Sequence, residues 1–501
     1  MNVVGIDVGT TGLKAVAVDP EGRILRERAV RYPTKLAGLG AEQDARAWWR
    51  AAMEALPAVV SGEPVSGVAV TSQGPTLVAV DAEGEPRGLA LTWIDRRAGA
   101  EAEEIAAACQ PTRNPPDPYF ATAKLLWWLR HRPEELEDVR AVLCANGFLI
   151  QKLCGQPTLD ETHAGFFQAW EGSFDPALAS LGVPVELIPK AHPSLEIAGE
   201  VSGAAAAATS LPEGTPVAYG GIDAVGAALE AGIFGADDGL VEMTGFSTVT
   251  IAAASRSTHV PGMIHTRHCL DGVDLVLSAM VSSGAVVDWA RRLTGFDNVA
   301  EFDEAVSPDR PGRLLLIPSF AGERTPTWDA AARGAIVGLD LDVDAGDLVL
   351  AVYEGTALGL KDNLERLESV IGELGPVRSV GGGAKSKTWT QIKADVLGVP
   401  VEVPRMGHGA AAGAAVLAGM ATGLWPDVEA VRAVVGEEVT RFEPDLKLTS
   451  QYSDLLKHYR ALQGALPPIT HALKPKGSTS EPPEDAPTGE RTSHGGSPDA
   501  A

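Results

Sequence analysis

Val3-Val4-Gly5-Ile6-Asp7-Val8-Gly9-Thr10-Thr11-Gly12-Leu13-Lys14 sets a carboxylate, two hydroxyls and a cation around a glycine turn between two apolar runs. A strand would deliver Asp7 at its carboxyl end. Gly9 and Gly12 let the backbone turn where a Cβ would clash, and the exposed N–H groups form an anion-binding concavity. Thr10 and Thr11 add hydroxyl donors and Lys14 a positive charge for a phosphate oxygen. Asp7 suits Mg²⁺, which takes one or two carboxylates and otherwise keeps water and substrate phosphate. A plain β-hairpin with a Gly/Thr turn is the other reading of the stretch taken alone.

The same design recurs. In Leu240-Val241-Glu242-Met243-Thr244-Gly245-Phe246-Ser247-Thr248-Val249 a Thr/Gly/Ser turn again separates two β-prone runs. Two such hairpins in one chain suggest two related domains presenting their turns to a shared cleft, each holding part of one polyphosphate. Around the first, alternation predicts strands over 3–7, 13–18 and 23–30, a turn at 19–22, a helix containing 45–56 and a strand over 65–71. Helices are expected at 121–131 and 147–153, and connecting structure with short strands over 184–215.

A chain of 501 residues exceeds one core and predicts two large domains or three smaller ones. With 41 basic against 66 acidic residues the net charge is −25, which argues against nucleic acid and anionic membrane as partners. No apolar run reaches membrane-helix length and no signal peptide opens the chain, so a cytoplasmic location is expected. Cys109, Cys144, Cys154 and Cys269 have no CxxC spacing and read as reduced, mostly buried thiols. His259, His265, His268 and Cys269 lie on alternating strand-like sequence, whose neighbours point to opposite faces, so a metal site there is not expected.

Two further elements carry chemistry. Ser379-Val380-Gly381-Gly382-Gly383-Ala384-Lys385-Ser386 is a strand–glycine–helix junction that lets a flat ligand lie on bare backbone, although it matches neither a dinucleotide fingerprint nor a P-loop. In Gly220-Gly221-Ile222-Asp223 a carboxylate follows a Gly-Gly turn at a helix start, where it serves either as an N-cap or as a general base.

In order, Asp-Val-Gly-Thr-Thr-x-x-Lys, Gly-Gly-x-Asp, Thr-Gly-x-Ser, Gly-Glu-Arg-Thr-Pro-x-Trp-Asp at 322–329, Gly-Gly-Gly-Ala-Lys-Ser and Ala-Ala-Gly-Ala-Ala at 411–415 resemble the FGGY carbohydrate kinases, most closely the xylulokinase-like branch. The resemblance runs to about residue 460 and takes in Ala41-Glu42-Gln43-Asp44, Trp48-Trp49 and Trp93-Ile94-Asp95-Arg96-Arg97. It implies an α/β fold of two actin-like ATPase (ribonuclease H-like) domains flanking a deep cleft. The first, 1–235, would hold the sugar and phosphate side and the second, 236–462, the nucleotide side. Residues 463–501 would form an extension, disordered from about 474 on its Pro/Gly/Ser-rich composition.

The resemblance further implies ATP and Mg²⁺ in the cleft and transfer of the γ-phosphate to a hydroxyl of a small sugar or polyol, with a xylulose-like ketose foremost. Asp7 would lie by the metal. Thr10, Thr11, Lys14, Thr244, Gly245 and Ser247 would lie by the phosphates. Gly382, Gly383 and Ala384 would border the adenosine, with Gln391 and Asp395 nearby, and Asp223 would be the base. Gln73, Gly74, Trp93, Asp95, Arg96 and Asp223 would face the sugar, although core packing and an interdomain ion pair are equally open for Trp93 and Arg96. A homodimer is a further expectation of the family.

Two departures put xylulose in question. Gly74-Pro75 replaces the Met-His pair of xylulokinases, which removes an imidazole, and Ile94 replaces an Asn. A site that loses polar groups should take a substrate with fewer or differently placed hydroxyls. Another ketose, a tetritol or a sugar acid is the alternative acceptor. A non-catalytic actin-like ATP-binding protein would have no use for Asp223, and a sugar-responsive regulator would need a DNA-binding segment that this acidic chain does not offer.

Overall fold

The computed structural model describes residues 1–110, 112–168, 174–306, 309–373, 375–404, 409–435 and 439–473. The expected disorder from about 474 lies outside them.

The amino-terminal alternation becomes a meander of β1 (Asn2–Val8), β2 (Gly12–Val18) and β3 (Ile24–Arg31), followed by helix α1 (Ala45–Val60) and β4 (Val65–Ser72). β1 runs antiparallel to β2 and parallel to β4. Helix α1 starts at Asp44, whose side chain accepts the Arg46 N–H, and buries Trp48, Ala52, Leu56 and Val59 at helical spacing. It contains the expected 45–56 and continues through Pro57 to Val60. β5 (Ile197–Glu200), β6 (Pro216–Ala218) and β7 (Gly221–Ile222) complete the sheet, and helix α2 (Asp223–Glu230) leaves it. Helices occupy Ala121–His131 and Ala145–Cys154, as expected. In 184–215 the short strands are joined by an alanine helix, Gly203–Thr209, that sequence reading passed over. Ser202 caps it, and alanine's high helix propensity explains it.

The second sheet repeats this plan. β8 (Leu240–Thr244), β9 (Thr248–Ser255), β10 (Ile264–Arg267) and β11 (Val273–Met280) are antiparallel neighbours, with β11 between β9 and β10. After the long helix α3 (Ala345–Ile371), β12 (Val377–Gly381) returns parallel to β8 as β4 does to β1. Helix α4 (Lys387–Leu397), β13 (Val401–Pro404), helix α5 (Ala410–Ala421), β14 (Val439–Phe442) and helix α6 (Leu446–Ala465) follow. Helix α6 continues across 462–463, where sequence reading put a boundary.

The halves interlock. Helix α5 belongs by sequence to the second half, yet it packs on β1 and β4 of the first sheet and on α2. A Cβ on Gly5 would stand 2.1 Å from Ala411 O, and one on Gly413 1.8 Å from Gly226 O, so both glycines are required for backbone to meet backbone. One apolar cluster accordingly contains Val3 and Val16 together with Val416 and Trp425.

His265 and His268 are buried in structural bonds. His268 Nε2 lies 3.1 Å from Ile233 O, and His265 Nε2 3.2 Å from Val260 O. All four cysteines are unpaired; Cys109 and Cys144 are buried, Cys154 and Cys269 half-buried. Among the described residues no helix is long and apolar enough to cross a membrane.

Candidate active site

Both hairpin turns open into one cleft between the sheets, with a cavity of about 560 Å³. Asp7 is paired across β2 with Lys14 and across β4 with Thr71, whose hydroxyl donates to Asp7 Oδ1 at 3.0 Å. The Gly9 N–H to Gly12 O bond, 3.0 Å, closes the turn that carries Thr10 and Thr11. Trp93 Nε1 donates to Thr10 Oγ1 at 2.9 Å. On the facing side the Gly245 N–H donates to Ser247 O at 2.9 Å. Thr244, Gly245, Phe246 and Ser247 line the cavity, although the Thr244 hydroxyl is spent on Glu242 and Thr248.

At the third glycine cluster the placement is divided. Gly382 lines the cavity, joined by Gly381 and Lys385, which sequence reading did not assign. Gly383 is packed beneath: a Cβ there would lie 2.6 Å from Thr244 Cγ2. Ala384 is half-buried beside the cavity-lining residues without being one of them. Gln391 and Asp395 do not line the cavity. Gln391 Nε2 donates to Asp395 Oδ1 and Glu443 O, and Asp395 receives the Asp445 N–H, so the pair ties α4 to the start of α6.

Asp223 opens helix α2 and lines the cavity. The N-cap is Ile222, without a side-chain bond, so of the two roles open to Asp223 the cap is not the one the structure gives it. Gly220, at φ +67°, makes the approach: a Cβ would lie 2.0 Å from Val70 O. Burial pushes Asp223 up to about 6, against the pull of His163, the Ala224 N–H and Arg324. Asp7 rises to about 7, by burial first and then by the charge of Asp223, offset by Thr71 and Lys14. Asp7, a buried carboxylate facing the negative charge of Asp223 across one cavity, is a donor of the kind a divalent cation takes. Among the described residues no cluster of three or more His, Cys, Asp or Glu is arranged for a metal.

The residues expected at the sugar divide as well. Gly74 and Trp93 line the cavity. Gln73 is buried, its Nε2 donating to Gln43 Oε1 at 2.7 Å. Asp95 takes the Ala41 N–H and Arg97 and does not line the cavity. Arg96 forms a bidentate pair with Asp117 at 2.6 and 2.7 Å, within the first half rather than between domains, and borders an adjoining cavity of about 490 Å³.

Sequence reading missed three groups. Tyr119 lines the cavity and donates to Gly74 O at 2.7 Å. Arg324, from the quoted Gly-Glu-Arg-Thr-Pro run, stacks 4.7 Å from the Trp93 ring and 5.2 Å from the Tyr119 ring. It is 4% exposed, and among the described residues its Nε and Nη2 have no hydrogen-bond partner. His163 stands behind Gly74, its Nε2 2.8 Å from where a Cβ on Gly74 would be. It is fully buried and does not itself line the cavity. Its signal was only a His three residues past Asp160 in an otherwise uninformative run, too little to find it.

A model of the FGGY family of carbohydrate kinases, N-terminal domain, matches residues 2–230, and that of its C-terminal domain matches 240–422. The chain belongs to the FGGY family of carbohydrate kinases. As such it is a phosphotransferase acting on a carbohydrate hydroxyl. A xylulose kinase of Streptomyces coelicolor is 31% identical over 436 residues, 84% of this chain and 88% of the relative. A glycerol kinase of Gloeobacter violaceus is 29% identical over 458 residues, 85% of this chain and 89% of the relative. Among solved structures, a xyloylose kinase from Brucella ovis superposes with a TM-score of 0.83 at 26% identity, covering 93% of this chain and 99% of that one. FGGY kinases with different acceptors therefore stand at similar distances, and the fold is the actin-like two-domain design.

Proposed function

We propose that this FGGY kinase transfers the γ-phosphate of Mg-ATP to a hydroxyl of a small, uncharged sugar or polyol, a xylulose-like ketose foremost, with Asp223 as the base. The observation that carries this reading is Asp223 itself, raised to about 6 and lining the same cavity as both hairpin turns. A base of that strength is ionised at neutral pH yet able to take a proton released late in a loose phosphoryl transfer.

Asp7 would hold the metal, and Mg²⁺ supplies neutralisation of phosphate charge when bound. Thr10, Thr11 and the turn N–H groups bind phosphate oxygens from one wall, and Gly245 and Ser247 from the other. Lys14 adds positive charge beside Asp7. Gly382 offers bare backbone to the nucleoside, with Lys385 at its edge. Trp93 and Tyr119 wall the acceptor end, and closure of the two halves excludes water as a competing acceptor.

The unpartnered donors of Arg324 favour a second reading, a sugar acid whose carboxylate they would bind. A coupled ADP-release assay with Mg-ATP against ketoses, polyols and aldonates tests both, with Asp223→Ala run alongside. Acceptor-dependent release that vanishes in the variant is the expected result. Release independent of acceptor and unchanged in the variant would overturn the proposal in favour of a non-catalytic ATP-binding protein.

A further inference from the structure

His163 lies on a single helical turn, Glu161–Ala164, fully buried. Its Nδ1 is 2.8 Å from Asp160 Oδ2. Asp160 also accepts the N–H groups of Thr162 and His163, the Thr162 hydroxyl and Asn146 Nδ2. A carboxylate so bonded stays ionised, and it is held below the usual range, with burial working against it and His163 the chief partner lowering it. Nδ1 therefore carries a hydrogen, and it is the neutral ring that keeps a lone pair on Nε2.

Among the described residues that nitrogen has no hydrogen-bond partner. Buried polar atoms are nearly always satisfied, so an orphan fixed by so many bonds on its other side points to a ligand. Its neighbours say which ligand. Nε2 stands 2.8 Å, and Ile222 Cδ1 2.7 Å, from the point a Gly74 side chain would occupy, and Gly74, Ile222 and Asp223 all line the cavity. Gly74, which lines the cavity, puts no Cβ between its own backbone and Nε2.

Resting on the kinase reading above, we propose that His163 Nε2 accepts a hydrogen bond from a second hydroxyl of the acceptor, distinct from the one Asp223 deprotonates, and so sets acceptor specificity. The substrate class this favours is a polyhydroxy compound with two hydroxyls in reach of Asp223 and Nε2. A lone pair attracts a hydroxyl and repels a carboxylate, so any acidic end of the acceptor belongs at Arg324.

His163→Asn isolates the role, because the Asn amide can keep the bond to Asp160 while removing Nε2. The expected result is an acceptor KM raised about ten- to a hundredfold with the ATP KM unchanged, and loss of this difference for an acceptor deoxygenated at that hydroxyl. An acceptor KM within twofold of the parent overturns the proposal, as does an equal loss toward all acceptors and ATP. Should the variant not fold, or should the parent release no ADP with any acceptor, the parent itself decides by ¹⁵N NMR of its histidines. A shift of the His163 Nε2 resonance on adding D-xylulose, erythritol or gluconate supports the contact even if the kinase reading fails, and a resonance unmoved by all three overturns it.

Discussion

Lys393 Nζ lies 2.9 Å from both carboxylate oxygens of Glu242, and both side chains are buried. Glu242 also receives the Ser379 and Thr244 hydroxyls, so this ion pair fastens β8, β12 and α4 beneath the second turn. Removing one partner of a buried pair leaves an uncompensated charge. Lys393→Met should cost about 3–5 kcal/mol in chemical denaturation. Lys393→Met with Glu242→Gln should recover part of that loss, and a single variant as stable as the parent would show that the pair does not hold the turn.

Asp223 and Asp7 share a cavity but should fail differently. Asp223→Asn keeps the shape and removes the basic oxygen, so kcat should fall by about 10²- to 10⁴-fold with ATP binding, followed by calorimetry, nearly intact. Asp7→Asn should instead raise the Mg²⁺ concentration for half-maximal rate about tenfold or more. Identical metal titrations for parent and Asp7→Asn would remove Asp7 from the metal.

Acid should weaken the fold through His268. Its Nε2–H donates to Ile233 O while Nδ1 accepts the Leu270 N–H, so both nitrogens are used by the neutral ring. Burial lowers it from 6.5 to about 4. The unfolded chain therefore binds the proton first, and the contribution of His268, complete above about 6.5, declines as pH falls toward 4. At roughly 1.4 kcal/mol per unit this amounts to about 3 kcal/mol. His268→Gln, which keeps a donor for Ile233 O, should show a shallower loss of denaturation midpoint between pH 6.5 and 4, and parallel profiles would contradict the assignment.

Gly413→Ala should be severe although only a methyl is added. The new carbon would fall 1.8 Å from Gly226 O and 2.4 Å from Gly226 C, and backbone cannot step aside as a side-chain tip can. A loss of about 3 kcal/mol or more is expected in denaturant titration. Gly464→Ala, on helix α6 with nothing within 4 Å of its Cβ position, should be neutral or stabilising.

Local chemistry made the hairpins legible: glycine and threonine mark the turns, and alternation marks β1, β2, β8 and β9 without help from distant residues. The same logic found α1 and the glycine entry to α4. Contacts between remote segments were not legible. Nothing in Glu242 announces Lys393, and nothing in Ala411-Ala412-Gly413 tells which sheet its small face will meet. Asp95, Gln391 and Asp395 came from the resemblance alone, and each bonds a neighbour in the fold that no local pattern announces. His163 stayed hidden for the opposite reason, since its importance lies in a nitrogen left over once Asp160 has taken the other.

Because helix α5 lies against β1, the first half wears part of the second as its own interior wall. A chimera joining residues 1–235 of this chain to the remainder of a relative would have to match at Gly5, Gly226 and Gly413 at once, or the two backbones could not touch. Inheritance of one half without its counterpart is thereby barred at three alpha carbons, two of which lie within a turn of Asp7 and Asp223 along the chain.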